Sequence, residues 1–369
     1  DLFRSLSGLA ITFPISVIIM AFGMLIGIGA CSVISIRLGE KNVQAADNIL
    51  GNAVILLTII SVVLGILGIL FLNEILMLFG ADQNSLPFAK AYIKVILMGA
   101  VFQNVGFGIN NIIRAEGNPR MAMFTMIFGA IINIILDPIF IFVFNMGIQG
   151  AAIATIISQA FNTLLVLRYF ISNKSVSILK IKKSSLKLHK YIIKDIFAIG
   201  IAPFSMQIAS SLVAILYNKG LYTYGGNLAI AAMGILNSIS MLIFMPIFGI
   251  SQGIQPIIGY NYGSKLYDRV LGIFKLAITF GTCIAVIGFI VVQLFANQLI
   301  TIFVGNNPEL IKLGAHGLRI DLMFLPILGF QILGASYFQA INEAKISMTL
   351  SVLRQVIVLI PIILIRSEE

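Results

Sequence analysis

Apolar residues run through this chain in long, nearly unbroken stretches separated by short polar punctuation. Ten stretches come near the ~20 residues an α-helix needs to cross a bilayer: roughly 9–30, 49–72, 87–113, 121–144, 147–169, 196–218, 228–257, 270–294, 313–339 and 346–365. A membrane β-barrel shows short alternating segments instead, so each run predicts a helix. The opening DLFRSLSG reads as a loop entering the first of them. Composition agrees: 59% of residues are hydrophobic and 10% charged, where a soluble domain carries about 25% charged residues. The fold class is therefore all-α integral membrane. Cys31 and Cys283 both fall within spans, with no metal or redox spacing, and read as small core residues. Tryptophan is absent, which leaves Tyr and Phe to supply any interfacial belt.

The net charge of +10 changes the picture only through its placement. Bases collect in every second loop: Arg37 and Lys41 after the first span, Arg114 and Arg120 after the third, Lys265 and Arg269 after the seventh, Lys345 after the ninth. Lys174, Lys180, Lys182, Lys183, Lys187, Lys190 and Lys194 fill the stretch after the fifth. The alternate segments, 72–85, NMGIQ (145–149), YGGN (224–227) and GNNPEL (305–310), are poorer in bases. This positive-inside pattern puts the basic loops in the cytoplasm of a multi-pass plasma-membrane protein and argues against nucleic acid as a partner. Lys90, Lys94, Lys219, Lys312 and Arg319 run against it, but lie near helix ends where long side chains can snorkel. The Lys-rich stretch itself reads as solvated, with anionic lipid heads as a lesser reading.

Sliding the chain on itself by 224 residues exposes a repeat. ITFPISVIIMAFGMLIGIG (11–29) falls on ILNSISMLIFMPIFGISQG (235–253), and RLGEKN (37–42) on NYGSKL (261–266). One residue later, at 225, RAEGNPRMAM (114–123) meets QAINEAKISM (339–348). An even number of spans separates matching elements, so the halves share one orientation and form a parallel pair, a recurrent transporter layout. Residues 1–170 predict an N-terminal lobe, 171–194 a basic cytoplasmic linker and 195–369 a C-terminal lobe. The span at 196–218 has no counterpart in the first half, and that at 147–169 none in the second. Restoring both gives six plus six, so the chain is expected to be ten helices of a twelve-helix protein.

GIGACSVISIRLGEKNVQAA (27–46), IRAEGNPRMAM (113–123), NIILDP (133–138), GIQGAAIATIISQ (147–159) and QGIQPIIGYNYG (252–263) resemble the multidrug and toxic compound extrusion (MATE) antiporters. The resemblance covers both halves. It implies two six-helix lobes around a central cavity open to one side at a time, and export of organic, often cationic compounds driven by Na⁺ or H⁺. It implies no other cofactor.

The residues themselves single out NIILDP. Pro138 cannot donate a hydrogen bond to the Ile134 carbonyl, so the helix should kink there. Asn133 lies one turn before Asp137 on the same face. A charge at the bilayer centre costs at least ~2.5–3.5 kcal/mol on insertion scales, so Asp137 must be paired, hydrated or protonated for part of a cycle. Tying two helices together as a neutral acid is the blander alternative. In one MATE branch the N-terminal lobe binds its cation through an Asp on the first helix, an Asn on the fourth, an Asn and Asp on the fifth and a Thr on the sixth. The resemblance carries these roles onto Asn133, Asp137 and Thr155, and onto Asn110 or Asn111 for the fourth-helix amide; the first-helix Asp has no counterpart. A second branch places its carboxylates in the C-terminal lobe, where the matching stretch 198–218 holds no acid. Asp321 is the deep acid of that half, either a pore-mouth residue or a helix tie. Gln207, Gln252, Gln255 and Gln331 are candidates to line the cavity or to glue helices together.

His189 and His316 read as surface residues. No clustered His/Asp/Glu set, HExxH or activated nucleophile supports an enzyme. No Walker loop supports ATP hydrolysis. A lipid-linked oligosaccharide flippase of the same plan should place Arg or Lys mid-span, and none is there. A channel would need a ring of like groups from several subunits, whereas the internal repeat favours a single-chain pathway and a monomer. A non-transporting scaffold would tolerate loss of Asp137. The expectation is an ion-coupled exporter of small organic molecules whose other partner is the lipid bilayer.

Overall fold

The computed structural model describes residues 2–79, 86–172, 176–305 and 307–352, and their side chains except at 2–11, 214–231, 304 and 352. Every regular element among them is helical: α1 (Leu2–Gly39), α2 (Val43–Leu70), α3 (Leu72–Leu78), α4 (Leu86–Ala115) and α5 (Pro119–Pro138), then a π-helical turn (Ile139–Val143). There follow α6 (Gly147–Ile171), a 3-10 turn (Lys183–Leu186), α7 (Lys190–Gly263), α8 (Tyr267–Val304), α9 (Pro308–Asp321), α10 (Leu325–Ala340) and α11 (Ala344–Val352). Among the described residues eight stretches are long and apolar enough to cross a membrane, and the bent pair α9 and α10 brings the number to nine. α7 holds two of them, Lys190–Val213 and Ala232–Gly263. The expected YGGN turn falls between these, at positions whose side chains are not described, and most of the expected span 346–365 lies outside the described residues.

Several details depart from the sequence reading for local reasons. α1 already begins at Leu2, where a loop was expected. LNEILML, read as part of a loop, winds into α3 because Leu72 and Leu76 can be buried against the apolar face of α4. The span at 313–339 is broken into α9 and α10, bent by 49°. Pro326, in the first turn of α10, has no N–H to give to Leu322. α8 continues to Val304 across a kink at Phe295, where φ is −114° and ψ 21°. Cys31 is buried as expected, but Cys283 is exposed on α8.

The repeat reappears in the turn chemistry of each half. α1 ends on Lys41 with φ 61°, and the aligned Lys265 closes the corresponding end of α7 with φ 60°. Around them Lys41 N bonds Leu38 O and Asn42 N bonds Arg37 O; Lys265 N bonds Tyr262 O and Leu266 N bonds Asn261 O. At the next basic turn Gly117 (φ 90°) aligns with Asn342 (φ 67°). Gly117 N and Asn118 N reach Arg114 O and Ile113 O, as Asn342 N and Glu343 N reach Gln339 O and Phe338 O. A left-handed residue that satisfies the last carbonyls of a helix is a common stop. Finding the same stop twice, at a spacing of 224 and then 225, matches the register read from the side chains.

The chain divides into two compact units, Asp1–Ile208 and Ala209–Glu369. The division falls inside α7, beyond the basic linker. Ile192, Ile196 and Ile199 from the start of α7 join Leu25, Ile26, Ile34 and Ile109 in one buried cluster. α1 and α7 approach with almost nothing between their backbones: a Cβ on Gly200 would collide with the Leu25 carbonyl, and one on Gly29 with that of Ile196. The second unit has its own core, in which Ile247, Ile258, Val292, Ile300, Leu318 and Leu333 are fully or almost fully buried.

Candidate functional site

In the first unit α5 carries the carboxylate singled out by sequence. Asn133 Nδ2 donates to Asp137 Oδ1 at 3.2 Å, and both side chains are half-buried. Immediately after Pro138 the backbone widens into the π turn, with Phe144 N reaching back to Ile139 O at 3.0 Å. Proline's missing N–H gives the cause, and π turns of this kind are frequent at functional sites. α6 packs against both α5 and the π turn. Thr155 sits about two turns into α6, close to the depth of Asp137. Its hydroxyl proton is committed to Ala151 O at 2.9 Å, which leaves the oxygen's lone pairs available. Tyr92, on the first turns of α4 and half-buried, lies near enough to feel the charge of Asp137. The arrangement is a carboxylate hydrogen-bonded by a neutral amide. It can accept a proton or a hard cation, whose preferred ligands are oxygens.

Asn110 and Asn111 are not brought to this place. Along α4 they lie roughly 27 Å from Tyr92 at 1.5 Å per residue. Asn110 ties the far end of α4 to α5: its Nδ2 reaches Ala122 O at 2.9 Å and Thr125 Oγ1 at 2.7 Å, while its Oδ1 accepts from Arg114 at 2.8 Å. Asn111 Nδ2 donates to Phe107 O at 2.9 Å.

A cavity of about 230 Å³ opens in that half of the unit, lined by Met20, Phe102, Gln103, Asn104, Phe107, Asn110, Met126, Gln159 and Asn162. Five of these side chains are amides and none carries a charge. Asn104 Nδ2 is held by Ser61 at 2.9 Å. The Oδ1 atoms of Asn104 and Asn162 are buried with no hydrogen-bond partner among the described residues. A buried acceptor left unpaired costs about 1–3 kcal/mol, and Asn104 Oδ1 points at Gly23 on α1, 2.7 Å from where a Cβ would stand.

Comparison with known proteins then fixes the lineage. The MatE family pattern matches residues 4–139 and 203–365, one match in each half. The chain belongs to the MatE family. The two matches end at 139 and 365, a separation in keeping with the slip at which the halves align. Among curated relatives of this MatE chain, the multidrug export protein MepA of Staphylococcus aureus (strain MRSA252) is 30% identical over 365 residues, 98% of this chain and 78% of MepA. MepA of Staphylococcus haemolyticus is 28% identical over 367 residues, with the same coverage. Among solved structures, the MATE multidrug transporter DinF-BH, solved in complex with a ligand, is 37% identical with a TM-score of 0.91, covering 99% of this chain and 81% of that one. An outward-facing MATE multidrug resistance transporter is 27% identical with a TM-score of 0.90, covering 96% and 78%. The MatE chain is thus a multi-pass plasma-membrane transporter and not an enzyme.

The remaining candidates lie in other surroundings. Gln207 is half-buried in the first unit. In the second, Gln255 faces Gln339 at 3.4 Å and Gln331 Nε2 donates to Leu350 O, both bonds joining neighbouring helices. Gln252, next along α7, is half-buried. Asp321 is exposed at the break between α9 and α10 and accepts from Ser240 Oγ at 3.4 Å. Arg319 turns away from it, its Nε bonding Gln293 O at 3.2 Å. Tyr92, Asn104 and Asn162 escaped the sequence reading. Tyr92 could have been found by counting residues inward along α4 and outward along α5 to equal depth.

Proposed function

We propose that this MATE transporter is a secondary active exporter of organic, often cationic compounds, which it exchanges for Na⁺ or H⁺ by alternating access. Asp137 is its coupling group. The observation that carries the reading is the Asn133–Asp137 pair, half-buried in a membrane span at the π turn. An apolar setting disfavours the ionised carboxyl, so the group gains by taking up a proton or Na⁺ and loses that partner when water reaches it. The uncharged cavity lined by amides, Met and Phe supports a small organic molecule as cargo. The relatives named for multidrug export, and the multidrug transporter DinF-BH, support a broad class of small organic substrates. The basic loops face the cytoplasm in this reading, and an inward Na⁺ or H⁺ gradient drives the cargo outward.

The test is transport of a fluorescent organic cation by protein reconstituted in vesicles, with the Na⁺ gradient and the pH gradient imposed one at a time. One gradient should drive uphill movement. Equal rates with either gradient, with both and with neither would overturn the coupling.

A further inference from the structure

The lysine-rich stretch that sequence reads as a solvated linker is instead strapped to the helix ends of the first unit. Buried Asp47 on α2 accepts Lys180 N at 2.9 Å and the Lys182 ammonium at 2.6 Å. Fully buried Asn52, one turn on, accepts His189 N at 2.9 Å and gives its Nδ2 to Lys187 O at 2.9 Å. Glu116, at the end of α4, takes Ser177 Oγ, Ile178 N and Leu179 N. A Cβ on Gly51 would collide with the Ser185 carbonyl, so the strap lies directly on the α2 backbone. At the aligned positions of the second half stand Leu271, Leu276 and Ile341.

The chemistry of these anchors leaves most of the strap's charge unspent. Backbone N–H groups take up most of the acid and amide oxygens, and of the lysine ammonium groups it is that of Lys182 that pairs with Asp47. Lys183, Lys187, Lys190 and Lys194 are exposed. Between them the strap turns large apolar side chains outward: Val176 is 87% exposed, Ile178 61%, Tyr191 61% and Leu188 46%. Apolar side chains interleaved with lysines, at the level where the spans end, match the boundary between acyl chains and headgroups. Lysine clusters beside a membrane helix attract anionic lipid.

We infer that residues 176–194 form a preorganised docking surface for the anionic headgroups of the adjoining leaflet. The lysine ammonium groups contact lipid phosphates, and Val176, Ile178, Leu188 and Tyr191 dip into the interface. This surface is separate from the Asp137 site, and its test does not depend on transport.

The full-length protein would be reconstituted in phosphatidylcholine vesicles with and without phosphatidylglycerol. Electron spin resonance then compares the immobilised fractions of spin-labelled phosphatidylglycerol and phosphatidylcholine at low and high salt. The wild type should select phosphatidylglycerol, and salt should weaken the preference. The variant K183Q/K187Q/K190Q/K194Q should lose selectivity, by up to about fivefold for each lysine that reaches the surface. The matching Lys→Arg variant should keep it, which separates lost charge from lost fold. Selectivity unchanged in the Gln variant, absent from the wild type or insensitive to salt would overturn the inference. So would wild-type preference equal for both lipids but strong for an acidic soluble protein or for RNA.

Discussion

At the scale of single residues, the mechanism rests on whether Asp137 titrates. Asp137→Asn keeps the shape of the side chain and can still meet Asn133 in place of the present 3.2 Å contact, but it carries no charge and takes up no proton. Gradient-driven export should fall to the level of protein-free vesicles, with expression and membrane insertion unchanged. Thr155→Ala should cost less, because Thr155 offers only a neutral oxygen whose proton already belongs to Ala151, and water can replace it. Tyr92→Phe keeps the ring and deletes a hydroxyl within electrostatic range of Asp137, so it should move the pH dependence of transport more than its maximal rate. Transport assays across a pH series would separate these outcomes. Wild-type export by Asp137→Asn under either gradient would reduce the residue to helix glue. The pair Asn133–Asp137 was legible in the sequence because one helical turn is a local relation. Tyr92, Asn104 and Asn162 were not, because each acquires its meaning from a neighbour on another helix.

At the scale of elements, glycine shows where helices meet. Gly200 on α7 and Gly29 on α1 each point at a carbonyl of the facing backbone, which cannot swing aside as a side-chain end can. Alanine at a free helical position gains roughly 0.8–1.0 kcal/mol over glycine, and Gly234 on α7 is such a position, with nothing within 4 Å of its missing Cβ. At Gly200 the same change should reverse sign, since overpacking costs typically ~1–3 kcal/mol. Thermal unfolding in detergent should therefore show Gly200→Ala melting below the wild type and Gly234→Ala at or above it. Equal melting points would mean that α1 and α7 are not in contact through that face. Hydropathy located the spans well, since apolar length alone defines them. It could not see that α9 and α10 part at Pro326, that Leu72 and Leu76 have a surface to cover, or that the start of α7 packs on α1. Those outcomes depend on partners, not on period.

At the scale of the whole molecule, the repeat and the charge pattern make one claim about orientation. The left-handed stops at Lys41 and Lys265, and at Gly117 and Asn342, all fall in basic turns, and the strap at 176–189 is tied to the ends of α2 and α4 that border the first and second of those turns. Every one of these features must then lie on one side of the membrane, and the seven lysines of residues 171–194 say that this side is the cytoplasm. Ser184 is exposed within the 3-10 turn of the strap and forms none of its anchors. A cysteine placed there, with Cys31 and Cys283 replaced by serine, should resist a membrane-impermeant thiol reagent in intact cells and react with it in inverted vesicles. A cysteine at Asn145, in the turn between the π helix and α6, should show the opposite pattern, because α5 crosses the membrane between Asn118 and that turn. Reaction of the Ser184 cysteine from outside intact cells would invert the assigned topology.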